Sequence, residues 1–128
     1  MSDLCRIDEP DLLARLEAMS PQALDDLPFG VIGFAADGRI TRYNRYESEA
    51  AQFPVDEVLG QHLFEELAPC LNNYLVAGVF DEAGSSAVDS SLPYVLTFRM
   101  KPTRVSLRLL APAGAGTRYV LVQRQLAA

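Results

Sequence analysis

Residues 29–44 read FGVIGFAADGRITRYN. An apolar run, Phe29 to Ala36, meets the pair Asp37-Gly38 and continues into a mixed segment, Arg39 to Asn44. Asp-Gly suits a tight connection between two strands. Glycine takes positive φ without steric cost, and the aspartate side chain bonds nearby backbone. The stretch is therefore expected to be a β-hairpin. Strict alternation in its second strand sets Ile40, Arg42 and Asn44 on one face and Arg39, Thr41 and Tyr43 on the other.

Upstream of the hairpin, residues 9–19 (EPDLLARLEAM) predict a short helix. Pro10 suits its first turn, and Leu12, Leu13 and Leu16 share one face. Ser20 is placed to cap a second short helix that Pro28 ends. Downstream, residues 45–52, Val55–Leu59 and 61–67 predict three short helical pieces, broken at Phe53-Pro54 and Gly60. Residues 72–82 predict a longer helix, with Tyr74, Val79 and Phe80 as its core positions. Three strands close the chain, at 93–100, 104–110 and 118–124. The middle one alternates cleanly, with Val105, Leu107 and Leu109 inward and Arg104, Ser106 and Arg108 outward. The order is helices, hairpin, short helices, then three strands. It implies an α+β fold with a five-stranded antiparallel sheet whose helices cover one face and leave a pocket.

The chain has 128 residues, 49% of them hydrophobic, enough for one domain with a real core. Its formal net charge is −6. That balance argues against binding nucleic acid or an anionic membrane surface, both of which need basic patches. The N-terminal segment MSDLCRIDEPDLL is acidic and reads as neither a signal peptide nor a span, so a cytoplasmic location with reduced thiols is expected. The two cysteines, Cys5 and Cys70, allow one disulfide, which that location disfavours, and Cys5 is given no role. The single histidine, His62, reads as a surface residue at a helix start. An enzyme using Cys70 as nucleophile is the weakest reading, because no third group can be named to orient that histidine.

The segment that carries chemistry is Gly60–Phe80, GQHLFEELAPCLNNYLVAGVF, with Cys70 in a proline-started turn. The expectation is that its thiol converges with Tyr43 and Glu47 on one pocket. Alone, Cys70 would be a buried structural thiol, Glu47 a solvated helix residue and Tyr43 a core aromatic.

These residues resemble a PAS domain, and more closely the photoactive yellow protein family. The resemblance runs through LLARLEAMSPQALDDLPFG (12–30), DGRITRYNRYE (37–47), VLGQHLFEELAPC (58–70) and YVLTFRMKPTRVSLRL (94–109). It implies a single PAS domain, with an N-terminal helical cap over 1–28 and a core over 29–128. It also implies a non-enzymatic, cytoplasmic blue-light sensor with 4-hydroxycinnamic acid (p-coumaric acid) thioester-linked to Cys70. By the same resemblance Tyr43 and a protonated Glu47 would hydrogen-bond the phenolate, and Met100 would assist dark recovery. Departures from the family pattern are Ala51 for a threonine, Phe53 for a shielding arginine, Phe98 for a tyrosine near the chromophore, Ser48 for a glycine, and Tyr46 just before Glu47. The alternative is a chromophore-free PAS interaction module that keeps the cysteine. In either case the signal is expected to leave through an unidentified downstream signalling protein or a homodimer.

Overall fold

The computed structural model describes residues 7–96, 102–114 and 116–124. Two helices open the chain, α1 (Leu12–Ala18) and α2 (Pro21–Asp25). Ser20 caps the second by accepting from the Ala23 amide. The hairpin follows as β1 (Gly30–Phe34) and β2 (Ile40–Tyr43). Gly38 sits at φ 90, and Asp37 Oδ1 accepts from the Arg39 amide, so the Asp-Gly turn forms as its chemistry dictates.

Next come α3 (Arg45–Ala51), α4 (Val55–Val58), a π-helical turn (Leu63–Leu67), a 3-10 turn (Pro69–Leu71) and α5 (Ala77–Ala83). Three strands complete the fold, β3 (Val88–Leu96), β4 (Thr103–Ala111) and β5 (Arg118–Arg124). The sheet has five strands in the order β2-β1-β5-β4-β3, and every neighbouring pair is antiparallel.

Both faces of this sheet are covered, not one. On the first, Ile32, Phe34, Val105, Leu107, Leu109, Val120 and Val122 pack against residues of the connecting segment such as Leu63, Phe64, Leu71 and Phe80. On the second, α1 and α2 lay Leu12, Leu16 and Leu24 over Val31, Leu110, Tyr119 and Leu121. Burial on both sides explains why all of β1 is inaccessible to solvent and its sequence is continuously apolar. It also corrects the outward assignment of Arg108. That residue is only 6% exposed. Its guanidinium donates to the carbonyls of Ile7 (2.9 Å) and Glu9 (2.6 Å) and forks onto the Asp89 carboxylate.

Two further expectations shift. The helix foreseen over 72–82 begins only at Ala77. Asn73 turns the preceding chain, its side chain accepting from the Leu75 amide and its carbonyl from the Gly78 amide. Tyr74 is consequently 81% exposed and is not a core residue. The strand foreseen from Pro93 starts earlier, at Val88.

Candidate functional site

The positions of Tyr43 and Glu47 depend on an irregularity in β2. The ladder pairs Phe34 with Ile40 and Gly33 with Arg42, so Thr41 is an extra residue. This bulge turns Ile40 and Tyr43 to the same face, where strict alternation would have separated them. Arg42 is thereby aimed at the second face. There it donates to the carbonyls of Leu16 (2.7 Å) and Met19 and to the Tyr119 hydroxyl (2.8 Å).

Asn44 follows directly and is fully buried. Its backbone amide donates to the Val31 carbonyl, and its Oδ1 accepts from the Val31 amide at 3.0 Å, so the side chain extends the β1 ladder. The same oxygen caps α3 by accepting from the Glu47 amide at 3.2 Å. The Nδ2 group donates to the Leu24 and Phe29 carbonyls, both at 2.9 Å. One side chain thus joins strand, helix and N-terminal segment.

Glu47 stands in the first turn of α3 with no solvent exposure. Its carboxylate lies over Gly30, where an added Cβ would come within 2.0 Å of Oε1. Gly30 shares a strand face with Ile32 and Phe34, the core face. Arg124 continues the Val120, Val122 side of β5 onto that same face. Its guanidinium meets both carboxylate oxygens, Nη1 to Oε1 at 2.8 Å and Nη2 to Oε2 at 3.1 Å. Burial works against the charge on Arg124. The hydrogen bonds and charge of Glu47 outweigh it, with Tyr46 and Tyr43 adding, and Arg124 titrates above its ordinary value.

Among the described residues the Tyr43 hydroxyl makes one long bond, 3.5 Å, to the backbone carbonyl of Glu47. Burial pushes its phenol up, the Glu47 charge adds to this, and Arg124 partly offsets both. The side chain is a buried donor whose hydrogen-bonding capacity is barely used.

Cys70 lies in the 3-10 turn begun by Pro69. It is half-buried and packs against the core cluster that contains Tyr43, as does Phe53. Its backbone is fixed by β3, since the Tyr94 hydroxyl donates to the Cys70 carbonyl at 2.5 Å. Asn73 Nδ2 reaches both that carbonyl (3.3 Å) and the Tyr94 oxygen (2.5 Å). His62 caps the π-helical turn through Nδ1, at 3.3 and 3.2 Å from the Phe64 and Glu65 amides. Phe98 and Met100 lie outside the described residues.

The structure therefore puts Tyr43 beside Glu47 and sets Cys70 and Phe53 on the same core cluster. A thioester-linked phenolic acid fits this chemistry: a thiol on an apolar wall, with an under-used buried hydroxyl in the same cluster. One group departs from the expected set, because both Glu47 oxygens are already engaged by Arg124. Arg124, Asn44 and Tyr94 escaped sequence reasoning. The available signal for Arg124 was a cation in phase with two inward valines, which demands a buried partner.

The PAS fold family model matches residues 18–121. Photoactive yellow protein from Halochromatium salexigens is 30% identical over 115 residues, 89% of this chain and 92% of the relative. The chain belongs to the photoactive yellow protein family of PAS domains. A second relative, photoactive yellow protein from Rhodothalassium salexigens, is 25% identical over 95% of this chain and 98% of its own. Among solved structures, the photoactive yellow protein domain of the sensor histidine kinase Ppr from Rhodospirillum centenum superposes with a TM-score of 0.78 at 32% identity, covering 86% of this chain and 97% of that one. Among the described residues no helix is long and apolar enough to cross a membrane.

Proposed function

We propose that this chain is a non-enzymatic, cytoplasmic light-sensing domain carrying 4-hydroxycinnamic acid as a thioester on Cys70. The observation that supports the reading is the placement of a half-buried thiol on the cluster that holds Tyr43, whose buried hydroxyl makes one long bond, 3.5 Å, among the described residues. When bound, such a group supplies a double bond that light isomerises. The protein's part is to bind its acyl carbon at Cys70, exclude water with Phe53 and the surrounding core, and meet its hydroxyl with Tyr43 and Glu47. Asn44 and Arg42 sit next to Tyr43 in the chain and hold the carbonyls of Leu16, Met19, Leu24 and Phe29. A change in hydrogen bonding at Tyr43 and Glu47 thus bears on the docking of α1 and α2. The partner that reads this out is taken to be a separate signalling protein or a second copy of the chain.

Loading the folded protein with the activated acid and illuminating it tests the reading. Expected are a light-driven absorption change that recovers in the dark and its loss in Cys70→Ala. A loaded protein with no light-driven change would overturn it. A chromophore-free interaction module is favoured by one observation: among the described residues no buried side-chain nitrogen or oxygen lacks a hydrogen-bond partner. It predicts that the folded protein takes up no acyl group.

A further inference from the structure

We infer that the cavity at the hairpin-turn end of the sheet is a second binding site, suited to a free aromatic amino acid. It has a volume of about 230 Å³ and is walled by the Asp37-Gly38 turn, His62, the C-terminal half of α5 and Arg118. None of Cys70, Tyr43, Glu47 or Phe53 lines it, so the inference does not depend on the light-sensing reading. The volume is below the roughly 300–1,000 Å³ of pockets for drug-sized ligands and suits a molecule the size of one amino acid. The floor is aromatic. Phe34 meets Phe64 edge to face with 5.5 Å between ring centres, and meets Phe80 in the same way at 5.1 Å. His62 continues the series, its ring 6.4 Å from that of Phe64. The imidazole lies so close over Gly38 that an added Cβ there would come within 2.2 Å of Nε2. A ring entering from solvent extends this edge-to-face arrangement.

The rim carries both signs of charge. Asp81 and Arg118 both line the cavity, yet among the described residues no ion pair joins them or engages either one. Arg118 Nη2 donates to the Gly84 carbonyl at 3.2 Å, and the rest of its donor fork has no hydrogen-bond partner among the described residues. Asp81 and Gly84 stand about one helical turn apart at the end of α5, so the carboxylate and the guanidinium held at Gly84 flank the same mouth. Asp37 adds a second carboxylate from the turn, with Oδ1 already accepting from the Arg39 amide. A simple cation would face Arg118, and a simple anion would face two carboxylates. A zwitterion satisfies both signs, its ammonium group donating to Asp81 and its carboxylate accepting from the Arg118 fork. An α-amino acid carries those two groups on one carbon, and an aromatic side chain is the one that uses a floor of rings.

The test is a titration of the 15N-labelled chain with L-phenylalanine, read from backbone amide shifts. Saturable shifts are expected at Gly38, Phe64, Asp81 and Gly84. Phenylpropionate lacks the ammonium group and phenylethylamine lacks the carboxylate, so each should bind at least about tenfold more weakly, the loss expected for one charge-assisted hydrogen bond. Glycine, which lacks the ring, should bind more weakly by at least the same factor, about tenfold. Arg118→Gln and Asp81→Asn should each weaken L-phenylalanine binding by about tenfold. The inference is overturned by the absence of saturable shifts, by equal binding of all four probes, by unchanged affinity in both variants, or by shifts centred on Cys70 and Tyr43 instead. If a variant does not fold, the four probes on the wild type decide alone.

Discussion

Replacing Asn44 by alanine should cost about 3 kcal/mol of folding stability, and each part of that figure has an identifiable source. Loss of the side-chain cap on α3 contributes about 1 kcal/mol. The Val31 amide loses its acceptor in a fully buried strand, at about 1 kcal/mol on the low side of the range for an orphaned group. The Phe29 carbonyl loses a 2.9 Å donor at similar cost. The Leu24 carbonyl adds little, because the Leu27 amide still donates to it. Domains of this kind are stable by roughly 5–15 kcal/mol, so the effect should be obvious in urea unfolding at neutral pH. Serine at the same position keeps a capping oxygen but cannot span to β1 and the N-terminal segment, and should regain only about 1 kcal/mol. Hydrogen exchange should also quicken in α2, whose Leu24 carbonyl loses its link to the hairpin, whereas α1 stays held through Arg42. A loss below about 1 kcal/mol for alanine would refute the idea that one side chain joins the three elements.

Gly30→Ala should dislodge the Glu47 carboxylate, since the new Cβ would lie 2.0 Å from Oε1; urea unfolding should show a loss of about 1–3 kcal/mol. Tyr119 gives an alkaline signature. Burial, then its bond to Glu17, push its phenol up from 10.0 to about 12, partly offset by Arg42. The folded value lies above the unfolded one, so this stability is complete below pH 10 and is lost as pH rises towards 12. Tyr119→Phe should flatten the fall seen in thermal melts across that window. Tyr74→Ser should change stability by no more than about 0.5 kcal/mol, as for any exposed side chain, and a loss several times larger would restore the helical core assignment.

The hairpin, the capped second helix and the strands were legible because each rests on local chemistry: an Asp-Gly turn, a Ser-Pro start, period-two alternation. What was not legible depends on partners distant in sequence. Alternation placed Ile40 and Tyr43 on opposite faces, and the bulge at Thr41 that unites them is dictated by pairing with β1. Arg108 looked outward because nothing in β4 announces that the N-terminal segment will lie over it. The helix drawn from residue 72 followed apolar spacing past Asn72-Asn73, whose side chains compete with helical hydrogen bonding. At the site, a family resemblance supplied Cys70, Tyr43 and Glu47. Arg124 stayed hidden because its partner lies 77 positions away across the sheet.

Intact-mass measurement after exposing the folded protein to activated 4-hydroxycinnamic acid tests the central claim most directly. The claim predicts one added acyl group per chain, mapped by peptide analysis to Cys70 and missing in Cys70→Ala. An unchanged mass on folded protein, or an acyl group carried equally by Cys70→Ala, would contradict it.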